Sequence, residues 1–357
     1  VLLTALLLLS GCHEFEVGPE ASGPSSEITV VTDSSVWNGP VGDAIRQQLE
    51  RPIATLPQPE PLFHVVHWPL SSDGIYRRIK KRKNVLFVAA LDDSTAAGEF
   101  VRSRLGADVT RRVETGEMSL FPRRDLWYRD QLVYFASAPD EAALARAIRA
   151  NGERLRYRYR ELVLDRMREQ MFDGGWREEL ADSLRRRHGF SLRVLHGYRI
   201  ADDPTGFVRL RNVVGQSWRD LFVYYIENAD RGQIRPEWIH RVRDSLTQKH
   251  VRGTLEGSHV QIDRRRPLHT RHVSDLERFC LETRGLWHMS EGAKGGPFLT
   301  YACYAPKQER IYFIDGMVHA PCYNKRALVR RLELMVRTFE VTEDSSSFAG
   351  LRSVARQ

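Results

Sequence analysis

A Gly174-Gly175 pair cuts this 357-residue chain near its middle. Upstream of it, Pro139-Asp140-Glu141 opens a long amphipathic helix. Leu144, Ile148, Leu155, Tyr159, Leu162, Val163 and Met171 recur there near helical spacing, with arginines between them. On both sides of the glycines, β-branched apolar runs alternate with amphipathic stretches, so each half has to bury a sheet face under helices. The pattern predicts an α+β fold of two consecutive mixed halves, residues 27–173 and 174–342, each an antiparallel-rich sheet covered by helices. In the first half, Ile28–Val31, residues 62–68, Asn84–Leu91 and Gln131–Ala136 read as strands, and Val41–Leu49 and Ala96–Leu105 as helices. Asn84–Leu91 is apolar on both parities, the mark of a strand buried on two faces. The second half predicts helices at Trp176–His188 and about Pro236–His250. Strands are expected at residues 191–200, 207–214, 220–226, 258–262, 284–289, 298–304 and 310–318. A last helix, capped by Asn324, carries Leu328, Leu332, Met335, Val336 and Phe339 as one apolar stripe.

The ends lie outside this pattern. An apolar run closes in Leu9-Ser10-Gly11-Cys12. It is shorter than the roughly 20 residues that span a bilayer and has the length of a signal-peptide apolar region. The expectation is a lipoprotein signal over residues 1–11, a lipid on Cys12 and a flexible Gly/Pro/Ser-rich tether over 12–26. The basic segment that usually precedes such a run would lie upstream of Val1. Residues 343–357 read as a disordered tail. The body would then be held in the cell envelope, the outer membrane favoured, through lipid at Cys12.

The net charge of +8 suits envelope proteins or anionic envelope polymers as partners, and nucleic acid is not expected as a partner of an exported protein. Arg77–Lys83, with Ile75, Tyr76 and Ile79 interleaved, reads as the solvated face of a short helix or as a contact for anionic material. Beyond Cys12, the cysteines are Cys280, Cys303 and Cys322. Three buried thiols are favoured, with Cys303–Cys322 the more plausible pair if a bridge forms.

Catalytic signatures are sparse. No Gly-x-Ser-x-Gly elbow, phosphate loop or dinucleotide fingerprint occurs, and no cofactor is implied. His269 and His272 stand three positions apart, but Arg264-Arg265-Arg266 and Arg271 surround them and oppose a cation, so no metal is expected. His64 and His67 read as packing residues. The densest region runs from Arg284 to Arg331. It reads as a tightly turned hairpin docking the last helix, or as a ligand groove lined by Trp287, Phe298 and Tyr301, with Arg284, Asp315 and Lys325 facing one another.

Several phrases resemble a family of Bacteroidota envelope lipoproteins, the domain of unknown function numbered 4837. They are Trp37-Asn38-Gly39-Pro40-Val41-Gly42, Leu56–Pro61, Lys83–Leu86, Asp125-Leu126-Trp127 with Gln131, Phe207–Arg211, Arg243-Asp244-Ser245 and Gly257-Ser258. The closing set is Arg284–Trp287, Gly296-Pro297-Phe298, Asp315-Gly316 and Arg331-Leu332-Glu333. His319-Ala320-Pro321 stands where that family carries a tyrosine-containing version. The resemblance implies an envelope location and one long domain, and no activity. The functional expectation is a non-catalytic, lipid-anchored scaffold or binding module. The alternative is an envelope hydrolase of cell-wall or glycan material with Asp315, Arg284 and His319 in a cleft, drawing its carboxylates from Glu282, Asp315 and Glu333.

Overall fold

The structure is a computed structural model that describes residues 18–273, 276 and 278–342. Cys12, the 1–11 signal and the 343–357 tail lie outside the described residues. The chain divides into two compact units, residues 1–51 with 63–159, and residues 52–62 with 160–357. Part of the expected tether is ordered against the first unit. The Ala21 amide donates to the Arg129 carbonyl at 2.8 Å and the Ser22 amide to that of Lys81 at 2.6 Å.

The first unit runs β1 (Glu27–Val31), α1 (Ser34–Trp37), α2 (Pro40–Leu49), β2 (His64–His67), α3 (Asp73–Lys80), β3 (Asn84–Val88), α4 (Ala96–Arg104), α5 (Ala107–Glu114), β4 (Leu120–Arg124), β5 (Leu132–Ala136) and α6 (Glu141–Ala150). Its sheet has the order β2-β1-β3-β5-β4. The α+β class holds, but the expected antiparallel bias fails here. β1 pairs parallel with β2 and β3, and β3 parallel with β5; only β4–β5 is antiparallel. Helical connections between β1 and β2, and between β2 and β3, return the chain to the same end of the sheet and so impose parallel pairing. Both faces are therefore covered, which explains the complete burial of β3. Val85 and Phe87 pack with Ile79, Val101 and Val113 from α3, α4 and α5. On the other face, the rings of Tyr134 and Tyr159 meet at 5.6 Å, and the Tyr159 hydroxyl donates to the Val85 carbonyl at 3.0 Å.

The single long helix expected after Pro139 is two helices, α6 and α7 (Gly152–Asp173). Asn151 breaks it by turning its side-chain amide back onto the Ala147 carbonyl at 2.9 Å. The basic stretch ends α3, where cations complement the helix dipole. Arg78 and Arg82 sit 4.8 and 4.7 Å from the Trp68 ring. His67 stacks on Trp37 at 5.0 Å.

The second unit continues with α8 (Glu178–His188), β6 (Phe190–Ser191), β7 (Arg199–Asp202), β8 (Phe207–Val214), β9 (Ser217–Ile226), α9 (Pro236–His250), β10 (Val260–Ile262), β11 (His269–Val273), β12 (Cys280–Met289), β13 (Gly295–Ala305), β14 (Arg310–His319), α10 (Arg326–Val336) and β15 (Glu340–Val341). Its main sheet is antiparallel, in the order β10-β12-β13-β14-β9-β8-β7, with β11 also on β12. Side chains alternate between its faces. Leu299, Tyr301 and Cys303 pack with α10 residues Leu332, Met335 and Val336. Phe298, Ala302 and Phe313 pack with Ile239 and Leu246 of α9. His269 and His272 lie on β11, where positions three apart point to opposite faces.

The cysteine expectation is corrected. Cys280 and Cys303 are direct cross-strand partners with Cα atoms 4.2 Å apart and form a disulfide. Cys322 is exposed in the turn after β14 at a φ of 64°. Replacing both bridged cysteines by alanine is expected to cost about 3 kcal/mol, given the chain loop the bridge closes. Urea unfolding with and without reductant checks this; an unchanged midpoint under reduction would contradict it.

Candidate functional site

The six residues expected to share a groove do not share one. Alternation along β12, β13 and β14 sends Arg284 and Tyr301 to the α10 face, and Trp287, Phe298 and Asp315 to the α9 face. Lys325 precedes α10. Arg284 and Asp315 therefore belong to separate buried networks.

On the α10 face, Arg284 Nη2 donates to Glu282 Oε1 at 2.5 Å and to Glu333 Oε2 at 2.7 Å. Arg271 adds a bond to Glu282 Oε2 at 2.5 Å, and the Tyr301 hydroxyl donates to Glu282 Oε1 at 2.7 Å. Glu333 Oε1 also accepts from Arg160 and, at 2.9 Å, from Arg337. Both carboxylate side chains are only 1% exposed. Burial alone would raise their carboxyls, but the guanidiniums, Arg284 foremost, outweigh it and hold both below the usual range. Tyr301 is pushed well above the ordinary phenol value by burial and by the adjacent carboxylates.

On the α9 face, Arg243 Nε donates to Asp315 Oδ2 at 2.7 Å, with both side chains fully buried. Thr300 donates to the same oxygen at 2.5 Å, and the Arg243 guanidinium lies 3.7 Å from the Phe298 ring centroid. Burial raises the Asp315 carboxyl despite Arg243. Asp220, held by Arg209 at 2.7 Å, is raised for the same reason. Glycoside hydrolysis needs one carboxyl raised to donate a proton and a second, ionised one beside the same substrate. Glu282 and Glu333 are both lowered, and Asp315 is sealed beneath α9.

The α10 start is held by a residue that the sequence reading passed over. Glu60 Oε1 accepts from the Lys325 amide at 2.6 Å and Oε2 from the Arg326 amide at 2.9 Å. Asn324 makes no cap; a carboxylate distant in sequence supplies it. Arg330 Nη2 donates to the Leu62 carbonyl at 3.0 Å and ties the same segment down.

A cavity of about 500 Å³ opens beside this junction, lined by Trp287, His319 and Lys325 with Gln58, Asp263 and Arg265. That volume falls within the range of small-molecule sites. Of the six groove candidates, only Trp287 and Lys325 reach it. Gly296 lets β13 close against β14, since a Cβ there would collide with the Val318 carbonyl oxygen. Trp287 Nε1 is spent on that same carbonyl at 3.2 Å.

Fold and site together define an α+β protein with charge-saturated carboxylates and a cation-lined cavity in its second unit. Residues 177–338 match the family described as Domain of unknown function (DUF4837). Residues 21–172 match a separate one, Domain of unknown function (DUF8532). The phrases from Trp37 to Gln131 therefore fall within the second match, and the family-4837 resemblance narrows to the C-terminal part. No curated protein matches the chain. Among solved structures it is similar to the Saccharomyces cerevisiae Ran-binding protein Mog1p, at 12% identity, covering 44% of this chain and 92% of that one, with a TM-score of 0.30. It is also similar to human StAR-related lipid transfer protein 5, at 9% identity, 49% and 92% coverage and a TM-score of 0.22.

Proposed function

We propose that this chain is a non-catalytic module of a Bacteroidota cell envelope, a scaffold or binding partner for another envelope component. A lipid on Cys12 holds it to a membrane, the outer membrane by preference. The observation that carries the non-catalytic reading is the guanidinium saturation of Glu282 and Glu333, which leaves neither able to donate a proton at neutral pH. The hydrolase alternative needs a solvent-reachable carboxylate pair. The cavity's one acidic lining residue, Asp263, is held at about 2, chiefly by its bonds to Arg265. The apolar run ending at Cys12 supports the anchor, and among the described residues no helix is long and apolar enough to cross a membrane. In the native cell, Cys12→Ser is expected to move the protein from the membrane pellet to the soluble periplasmic fraction. Full membrane retention of that variant would overturn the anchor.

A further inference from the structure

We infer that the cavity between the β12–β13 hairpin and the start of α10 seats a phosphate monoester, with Lys325 as its principal counter-charge. The inference deepens the binding-module reading and rests on it.

The charge on the walls comes first. Lys325, Lys294 and Arg265 line the cavity, and Asp263 is its one carboxylate. Both Asp263 oxygens already accept from Arg265, at 2.7 Å each. The two lysines and the arginine exceed the single carboxylate by two positive charges, the complement of a phosphate monoester dianion.

Lys325 is the built element. The residue is 4% exposed, and its ammonium donates only to neutral acceptors, Gln58 Oε1 at 2.5 Å and the Tyr323 carbonyl at 2.7 Å. A third N–H remains. Glu60 lies close enough to favour the charge, but its oxygens are engaged by the α10 amides. Burial of this ammonium is thus only partly compensated, a cost that an incoming oxyanion would offset. The helix N-terminus itself adds nothing, because Glu60 has already capped it.

The histidines set the remaining polarity. His288 is satisfied at both nitrogens, donating from Nδ1 to the Met289 carbonyl at 2.8 Å and meeting the Gln261 amide at 3.3 Å. His319 donates from Nδ1 to the Gly295 carbonyl at 3.1 Å, which fixes its ring at the cavity wall. Gly292, at a φ of 94°, shapes the turn that carries Lys294 to the rim.

The test titrates the purified full chain by calorimetry with glycerol 3-phosphate and, in a separate arm, with phosphatidylcholine vesicles containing phosphatidate. Saturable binding of the soluble ester assigns a soluble ligand; binding confined to the phosphatidate vesicles assigns a lipid headgroup. Lys325→Met is expected to weaken either at least tenfold, and the exposed Lys294→Ala by a few-fold, which keeps the test valid should the buried substitution fail to fold. No saturable binding in either arm, or full affinity in a folded Lys325→Met or in Lys294→Ala, overturns the inference. Membrane release by Cys12→Ser would still stand in that event, so the two failures are separable.

Discussion

Replacing Glu333 by glutamine is expected to lower the unfolding free energy of the second unit by about 3–5 kcal/mol, because removing one member of a buried ion cluster strands the others. For a unit of this size that is a fall in Tm of about 6–20 °C. Arg160, Arg284 and Arg337 would be left converging on a neutral amide. The acid limb separates this explanation from simple loss of packing. The Glu282 and Glu333 carboxyls are lowered in the folded state, so the unfolded chain binds protons first as pH falls. Their stabilisation is fully present above about pH 4.3 and drains away as pH drops from there toward the depressed folded values. Urea midpoints between pH 7 and pH 3 should therefore fall steeply for the wild type and less steeply for Glu333→Gln. Parallel slopes would refute the role assigned to the cluster.

Asp315→Ala should be comparably damaging. It leaves the fully buried Arg243 guanidinium, which cannot shed its proton, without its carboxylate, at a cost of about 3–5 kcal/mol. The Arg243→Met, Asp315→Ala double variant should regain at least half of that loss, because two apolar groups on this face no longer carry a desolvated charge. Chemical denaturation of the two single variants and the double variant checks the cycle. A double variant as unstable as the worse single one would mean that the pair contributes shape rather than charge compensation.

Much of the architecture was legible because burial leaves a period in the sequence. β3 announced itself by apolar residues on both parities, and α9 and α10 by their apolar stripes. The same both-sided pattern in β3 also pointed to a parallel sheet, against the antiparallel expectation. Pairing direction depends on the crossovers, and the helical connections between β1, β2 and β3 set it parallel. The site was harder to read. Residues 284 to 331 were visible as unusual, but which of them meet depends on cross-strand register. That register places Arg284 and Asp315 on opposite faces and joins Cys280 to Cys303. Arg243 looked like any helical arginine until β14 placed Asp315 beneath it. No local signal marks Glu60 as a helix cap, since its partners lie some 265 positions away.

The segment from 52 to 62 interrupts the first unit in sequence while completing the second. A truncated chain beginning at residue 160 would lack both the α10 cap and Gln58. During synthesis this strip emerges early and must wait for nearly the whole remaining polypeptide before its destination exists. Neither compact unit corresponds to one uninterrupted stretch of coding sequence.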